Sequence, residues 1–267
     1  MLRTRIITSL VLAGGMTVTL LFLPTWAVGW VIGLFCLGGA WEWAGLTQLR
    51  GLGRWIYLSA FALLMLGMAG WGLDRGWTAN TIMAVAVCWW GIAALVLRIR
   101  PRRIPLYLVG ATGPLALFPA WFLLTHLHGN AAQGPSLTLS IMFIVWAADV
   151  GGHFVGGMWG RVKLAPRVSP AKTWEGVIGG VVLATLFAFW AGLLLDVPAG
   201  TFVTIGIAAA LVSVVGDLTV SMLKRNVSVK DSGWFLPGHG GILDRIDGLV
   251  AAAPIFFLGL VAAGIAV

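Results

Sequence analysis

Long apolar runs separated by short polar breaks fill almost the whole of this 267-residue chain. Hydrophobic residues make up 60% of the sequence and charged residues only 10%, whereas a soluble domain carries about 25% charged residues. A chain this apolar cannot cover its surface with polar groups in water, but it suits a lipid bilayer, which a helix of about 20 apolar residues spans. Because lipid leaves open backbone groups unpaired, the sequence predicts an all-α polytopic integral membrane protein.

The runs predict about nine transmembrane helices in a single membrane domain over residues 1–267. Their predicted bounds are 6–23, 26–46, 55–73, 77–97, 104–126, 137–157, 174–195, 201–222 and 247–266. We interpret the first run as a helix rather than a cleaved signal peptide, because it is longer than the usual apolar region of about 7–15 residues. The two cysteines, Cys36 and Cys88, lie in apolar runs, so we predict buried thiols without a disulfide.

The lysines and arginines predict how these helices are oriented. If the N-terminus is cytoplasmic, the segments on that side hold 16 of the 17 Lys and Arg residues, and only Arg75 lies outside. Cytoplasmic segments of membrane proteins are rich in these residues. We therefore predict a cytoplasmic N-terminus and an outside C-terminus, and we attribute the net charge of +8 to membrane topology rather than to nucleic-acid binding.

The few acidic residues mark candidate functional positions, because ionisable groups inside spans are costly. Asp149 and Asp217 each lie about two turns from the predicted cytoplasmic end of a helix. Two carboxylates at this depth are suited to share a cation, since hard cations prefer carboxylate oxygens. The alternative for Asp217 is a pairing with Arg or with a backbone amide. For Glu42, between Trp41 and Trp43, a polar contact between helices explains the residue at least as well as a chemical role.

The C-terminal segment 217–247 combines acids, bases and glycines at unusual density. The acids are Asp217, Asp231, Asp244 and Asp247, and the bases are Lys224, Arg225, Lys230 and Arg245. The glycines of the Pro-Gly-His-Gly-Gly turn at 237–241 let backbone amides approach an anion closely. If the last helix begins near Leu243, two of the acids project from its first turn, where the helix N-terminus favours anions. The segment predicts a site for Mg²⁺ and a polyphosphate.

A second segment, 160–176, carries a basic loop and an apparent helix start. Ser169 is predicted as an N-cap and Pro170 as the first helical residue. Lys172 and Thr173 would then lie at a helix N-terminus that favours anions. The alternative is a basic cytoplasmic loop that has a good cap and no ligand.

These two segments resemble the phosphatidate cytidylyltransferases, also called CDP-diacylglycerol synthases. The likeness rests on Ser-Met-Leu-Lys-Arg at 221–225, Lys-Asp at 230–231, the turn at 237–241 and Asp-Arg-Ile-Asp at 244–247. Segment 149–176 is similar in its Asp-x-Gly opening and its Lys-Leu-Ala-Pro-Arg-Val-Ser-Pro-Ala-Lys-Thr-Trp-Glu-Gly end. It departs from the family at Gly152-His153, where Ala-Tyr is usual, and at Gly157, where a basic residue is common.

The resemblance implies that CTP and phosphatidate give CDP-diacylglycerol and pyrophosphate at the cytoplasmic face of a bacterial inner membrane. It implies Mg²⁺ or Mn²⁺, a second cation such as K⁺, and a homodimer. The implied catalytic residues are Asp217, Asp244, Lys224, Arg225, His239 and Arg245. The implied substrate-binding residues are Ser169, Lys172, Thr173, Ser221, Lys230, Gly240, Gly241 and Asp149. The implied metal ligands are Asp217 and Asp244, with Asp231 and Asp247 as further candidates.

Within this interpretation, residues 1–140 form a lipid-facing scaffold and residues 141–267 carry the catalytic helices and loops. Three other functions stay open from the sequence. One is a paralogue that acts on another lipid phosphate. The second is a CDP-alcohol phosphotransferase, although the clustered Asp motif of that family is missing. The third is a cation- or proton-coupled transporter that uses Asp149 and Asp217.

Overall fold

The computed structural model describes residues 2–71, 76–99, 103–131, 133–233 and 240–265. Within these residues it contains nine α-helices and one short antiparallel pair of strands. The helices are α1 Leu2–Phe22, α2 Thr25–Leu46, α3 Leu52–Trp71, α4 Gly76–Ile99, α5 Leu106–Asn130, α6 Gly134–Trp159, α7 Trp174–Leu194, α8 Ala199–Asn226 and α9 Leu243–Ala262. The strands are β1 Lys163–Ala165 and β2 Ser169–Thr173.

Each of the nine predicted helices coincides with a helix of the structure. In the described part of the chain, the eight helices α2 to α9 are long and apolar enough to cross a bilayer. The protein is therefore an α-helical polytopic membrane protein, with one small hairpin that the all-α prediction missed. Helix α9 begins at Leu243, four residues before its predicted start, so Asp244 lies in its first turn and Asp247 at the start of its second.

The predicted N-cap at Ser169 is wrong. Ser169 and Pro170 lie in β2, which pairs antiparallel with β1 so that Ala165 faces Ser169 and Lys163 faces Thr173. Proline is compatible with an edge strand, so strand pairing replaces the expected helix start. The true N-cap of α7 is Thr173, whose hydroxyl accepts a hydrogen bond from the Gly176 amide at 3.2 Å.

Helices α6 and α7 pack backbone against backbone through glycines. A Cβ on Gly176 would lie 2.8 Å from the Gly152 carbonyl oxygen, and a Cβ on Gly156 would lie 3.4 Å from the Gly176 Cα atom. Small residues of this kind let membrane helices approach closely, because lipid supplies no hydrophobic force between them. The two helices therefore lie in direct backbone contact.

The end of α8, the hairpin and the segment before α5 lie together at one end of the bundle. The Asn226 side chain, at the end of α8, donates to the Ile104 carbonyl and accepts from the Ile104 amide, both at 2.9 Å. Arg225 Nε donates to the carbonyl oxygen of Val168 in the hairpin at 3.3 Å. At the opposite end, Thr25 Oγ1 lies 3.0 Å from His128 Nδ1. Helix α5 therefore runs antiparallel to both α2 and α8.

Burial separates central helices from peripheral ones. In the apolar window of α5, 67% of the residues are buried inside the protein, against 11% in α3. Exposed apolar side chains such as Leu63, Phe154 and Trp190 are expected on surfaces that face lipid. Cys36 is buried as predicted, but Cys88 is exposed on α4, so that part of the prediction is wrong.

Candidate active site

A cavity of about 550 Å³ opens between α6, the hairpin, α7, α8 and α9. Glycines of α6 and α7 form much of one wall, because their missing side chains leave the space open. Eight of the residues predicted for the site line this cavity: Asp149, Ser169, Lys172, Thr173, Asp217, Asp244, Arg245 and Asp247. The structure thus brings the two segments that the sequence singled out into one place.

Three of these carboxylates come from three different helices. They are Asp149 of α6, Asp217 of α8 and Asp247 of α9, and their negative charges repel one another. The positive charge of Lys172 opposes this repulsion at Asp149 and Asp247. Lys172 Nζ also forms an ion pair with Asp217 Oδ2. Lys172 reaches Asp217 from the strand β2, not from a helix turn as predicted. The arrangement concentrates negative charge in a half-enclosed space.

Asp244 has a different environment on the same cavity. Lys224 Nζ lies 2.6 Å from Asp244 Oδ1, and both side chains are nearly buried. Asp244 Oδ2 accepts hydrogen bonds from the Ser232 amide at 3.1 Å and from the Gly241 amide at 3.2 Å. Three donors hold this carboxylate in one orientation, and charge-assisted bonds of this kind are the stronger ones. We call Lys224, Ser232, Gly241 and Asp244 the Asp244 clamp.

The described glycines of the C-terminal turn serve this clamp. Gly240 has a φ of 78°, a conformation that residues with a side chain rarely adopt. The Gly241 amide, predicted to contact a phosphate, donates to Asp244 instead. The predicted turn residues Pro237 and Gly238, together with His239, lie outside the described residues.

The other predicted residues surround the cavity rather than line it. Ser221 Oγ donates to Asp217 Oδ1 at 3.2 Å from one helical turn away. Arg225 donates to the carbonyl oxygens of Val168 and Val229, so it ties the hairpin to the end of α8. Lys230 and Asp231 are exposed. Among the described residues, no group of three or more His, Cys, Asp or Glu side chains has an arrangement that could hold a metal ion.

The sequence prediction missed two residues near the site. His153 lines the cavity one turn beyond Asp149. The one sign of it in the sequence was that Gly152-His153 stands where the family usually has Ala-Tyr. Glu42, on the distant helix α2, is fully buried and accepts hydrogen bonds from Ser232, Ile242 and Leu243. These bonds are the polar contact between helices that the sequence analysis offered for Glu42. The sequence did not indicate that α9 is the partner.

Enzymes that transfer phosphate-containing groups rely on positioning and charge neutralisation. The cavity of this helix bundle offers charges of both signs for such chemistry, four carboxylates beside Lys172 and Arg245. The class of enzyme follows more closely from the sequence. The model of the Cytidylyltransferase family matches residues 3–262. The chain belongs to this family.

Two relatives agree with the family match over nearly the whole chain, and a third over about half of it. A phosphatidate cytidylyltransferase of Pseudomonas aeruginosa is 40% identical over 99% of this chain and 98% of its own length. A phosphatidate cytidylyltransferase of Haemophilus influenzae is 36% identical over 96% of this chain and 97% of its own length. A third, from Thermotoga maritima, matches 47% of this chain at 38% identity. The resemblance and the nucleotidyltransferase prediction are confirmed, and the transporter and phosphotransferase alternatives find no support.

Proposed function

We infer that this chain is a phosphatidate cytidylyltransferase that makes CDP-diacylglycerol and pyrophosphate from CTP and phosphatidate. Full-length similarity to enzymes of that name supports the reaction. The single structural observation that carries the proposal is the cavity in which Asp149, Asp217, Asp244 and Asp247 meet Lys172 and Arg245. With a divalent cation bound among the carboxylates, such a cavity suits a nucleoside triphosphate. A lipid phosphate other than phosphatidate is the alternative that this observation leaves open.

The proposed chemistry is an in-line displacement at phosphorus. An oxygen of the lipid phosphate attacks the α-phosphorus of CTP, the new P–O bond forms, and the bond to the β-phosphate bridging oxygen breaks to release pyrophosphate. A phosphate monoester has a second pKa near 6, so the attacking group is already largely a dianion. General-base help is therefore optional, and we assign His239 a contact with phosphate or with an aspartate. Positioning and charge neutralisation carry most of the rate enhancement.

We propose that a hard divalent cation, Mg²⁺ or Mn²⁺, binds in the cavity, because such ions prefer carboxylate oxygens. We propose Asp217 and Asp244 as the ligands, with Asp247 and Asp231 as further candidates. The Asp244 clamp uses Oδ1 once and Oδ2 twice, which leaves Oδ1 a free lone pair. The bound cation would screen the triphosphate. A second cation such as K⁺ stays a prediction.

Cationic residues around the cavity would bind the substrate phosphates. We propose that Lys172 exchanges its bond to Asp217 for a nucleotide phosphate, with Ser169 and Thr173 beside it. Lys224, Arg245 and the other candidates from the C-terminal segment would bind further phosphate oxygens. These others are Ser221, Arg225, Lys230 and Gly240.

We further propose nine spans with a cytoplasmic N-terminus and an outside C-terminus, so that the cavity opens at the cytoplasmic face of a bacterial inner membrane. The 16-to-1 division of basic residues supports this orientation. Reporter fusions after residues 49 and 130 check it, because the first should report the cytoplasm and the second the outside. The division into a scaffold at 1–140 and a catalytic part at 141–267, and the homodimer, stay predictions. Cross-linking in native membranes tests the dimer.

The activity is tested with purified protein in detergent micelles that contain phosphatidate. We expect radiolabelled CTP to enter the lipid fraction, with one pyrophosphate released for each CDP-diacylglycerol formed, only when Mg²⁺ or Mn²⁺ is present. Full activity in excess EDTA would rule out the metal proposal. Pyrophosphate release with an isoprenoid phosphate but not with phosphatidate would favour the paralogue.

A further inference from the structure

Glu42 lies in α2 and reaches the start of α9, about 200 positions later in the chain. Its side chain is fully buried. Oε1 accepts from the Ile242 amide at 2.9 Å, and Oε2 accepts from the Leu243 amide at 2.8 Å and from Ser232 Oγ at 2.7 Å. Both carboxylate oxygens are therefore used, and all three donors belong to the C-terminal segment.

These contacts complete the N-terminus of α9. The first amides of a helix have no partner within the helix and usually bond to the side chain of the N-cap residue. The N-cap of α9 is Ile242, which has no side-chain acceptor. Glu42 supplies the missing acceptor from another helix, and its negative charge is favourable at the positive end of the helix dipole.

The same carboxylate joins the two stretches of chain that flank the undescribed residues 234–239. Glu42 and Asp244 each bond to Ser232 on one side and to residues 241–243 on the other. Glycines make room for the Glu42 side chain, since a Cβ on Gly241 would lie 2.8 Å and a Cβ on Gly233 2.6 Å from the Glu42 Cδ atom. Glu42 and the Asp244 clamp therefore form one continuous network.

We propose that Glu42 is a positioning residue for cytidylyl transfer, which fixes the first turn of α9 and with it Asp244 and Asp247. This inference rests on the proposed function, because it assigns those aspartates to the reaction. Glu42 itself does not line the cavity, so it acts through the helix start and not on the substrates. A displacement of about 1 Å in a catalytic group can lower the rate about 100-fold.

The test compares Glu42→Gln with wild type and with Asp196→Asn. The amide keeps one acceptor oxygen but turns an NH₂ group towards a backbone donor, so the cap is half lost with little change of volume. Asp196→Asn is the matched control, because Asp196 is exposed and lies in the connection between α7 and α8, on a residue with φ 54° that asparagine also adopts. Ser232→Ala removes only one of the three donors.

We expect Glu42→Gln to lower kcat about 30-fold per folded molecule while the KM for CTP and for phosphatidate changes less than about threefold. Ser232→Ala should lower kcat about threefold, and Asp196→Asn should match wild type. Hydrogen exchange read by mass spectrometry should be roughly tenfold faster in Glu42→Gln over the start of α9, with α6 and α7 unchanged.

Unchanged exchange at the start of α9, or faster exchange with wild-type kcat, would overturn the positioning role. A loss of activity that only follows a loss of folded protein would do the same. If wild type fails to make CDP-diacylglycerol, the proposed function is wrong, and the positioning role falls with it, whereas the exchange measurement still decides whether Glu42 caps α9.

Discussion

The two walls of the cavity are built on opposite principles. The wall of α8 and α9 carries Asp217, Asp244 and Asp247 and is held by ionic and backbone hydrogen bonds. The wall of α6 and α7 is rich in glycine, and Asp149 is the acid that it contributes to the cavity. The hairpin between α6 and α7 extends Lys172 across the gap to Asp217.

The α8–α9 wall therefore supplies most of the charged groups, and the α6–α7 wall supplies open volume. Dense charges need many fixed partners, so the α8–α9 wall holds Asp217 and Asp244 with donors from its own segment. Glu42 fixes the start of α9 by accepting hydrogen bonds from it. Close backbone packing needs small residues, so the α6–α7 wall leaves volume for a nucleotide. We therefore expect substitutions on the first wall to affect turnover and substitutions on the second to affect stability and substrate binding.

The largest expected effect comes from removing a charge on the α8–α9 wall. Asp217→Asn and Asp244→Asn should each lower kcat about 1000-fold, because the proposed metal loses a ligand while the shape of the side chain stays the same. Asp149→Asn, on the other wall, should lower kcat only about tenfold. The measurement is the initial rate of CDP-diacylglycerol formation per folded molecule. Equal losses of kcat in all three variants would contradict the proposed difference between the two walls.

A smaller effect is expected where the walls meet. Lys172→Met should lower kcat/KM for CTP about 30-fold, mostly through KM, because Asp217 loses its partner and the nucleotide loses a cation. The control is Lys163→Met, since Lys163 is exposed on the neighbouring strand and does not line the cavity. Steady-state kinetics with varied CTP make the measurement. A loss confined to kcat would place Lys172 with the turnover residues instead.

The smallest effect on chemistry is expected in the glycine contact. A methyl group on Gly176 would lie 2.8 Å from the Gly152 carbonyl oxygen, whereas one on Gly157 meets nothing within 4 Å. Gly176→Ala should therefore lower the melting temperature in detergent by about 5 °C through overpacking, and Gly157→Ala should leave it within about 1 °C. Equal melting temperatures would show that α6 and α7 adjust without cost.

Hydropathy was enough to predict all nine helices, because a long apolar run can pair all its backbone groups within a bilayer only as a helix or in a closed barrel. The charge pattern also led to both segments of the cavity. Ser169 was misassigned because pairing with β1 is a contact that a local cap motif does not contain. Asp244 and Asp247 look equivalent at positions i and i+3, but Asp244 pairs with Lys224 of α8, whereas Asp247 accepts from the Gly248 amide of its own helix. The bond from Glu42 to Leu243 joins residues about 200 positions apart, which no local pattern predicts.

The capping of α9 by Glu42 also bears on how far the protein can be divided. Every described residue that lines the cavity belongs to 141–267, yet the start of the last helix is completed by a side chain from α2. A fragment made of the second half alone would leave two amides of α9 without their acceptor. We expect the two halves to regain activity only when they reassemble as a split enzyme. The boundary near residue 140 is therefore a division of the sequence and not of the folded protein.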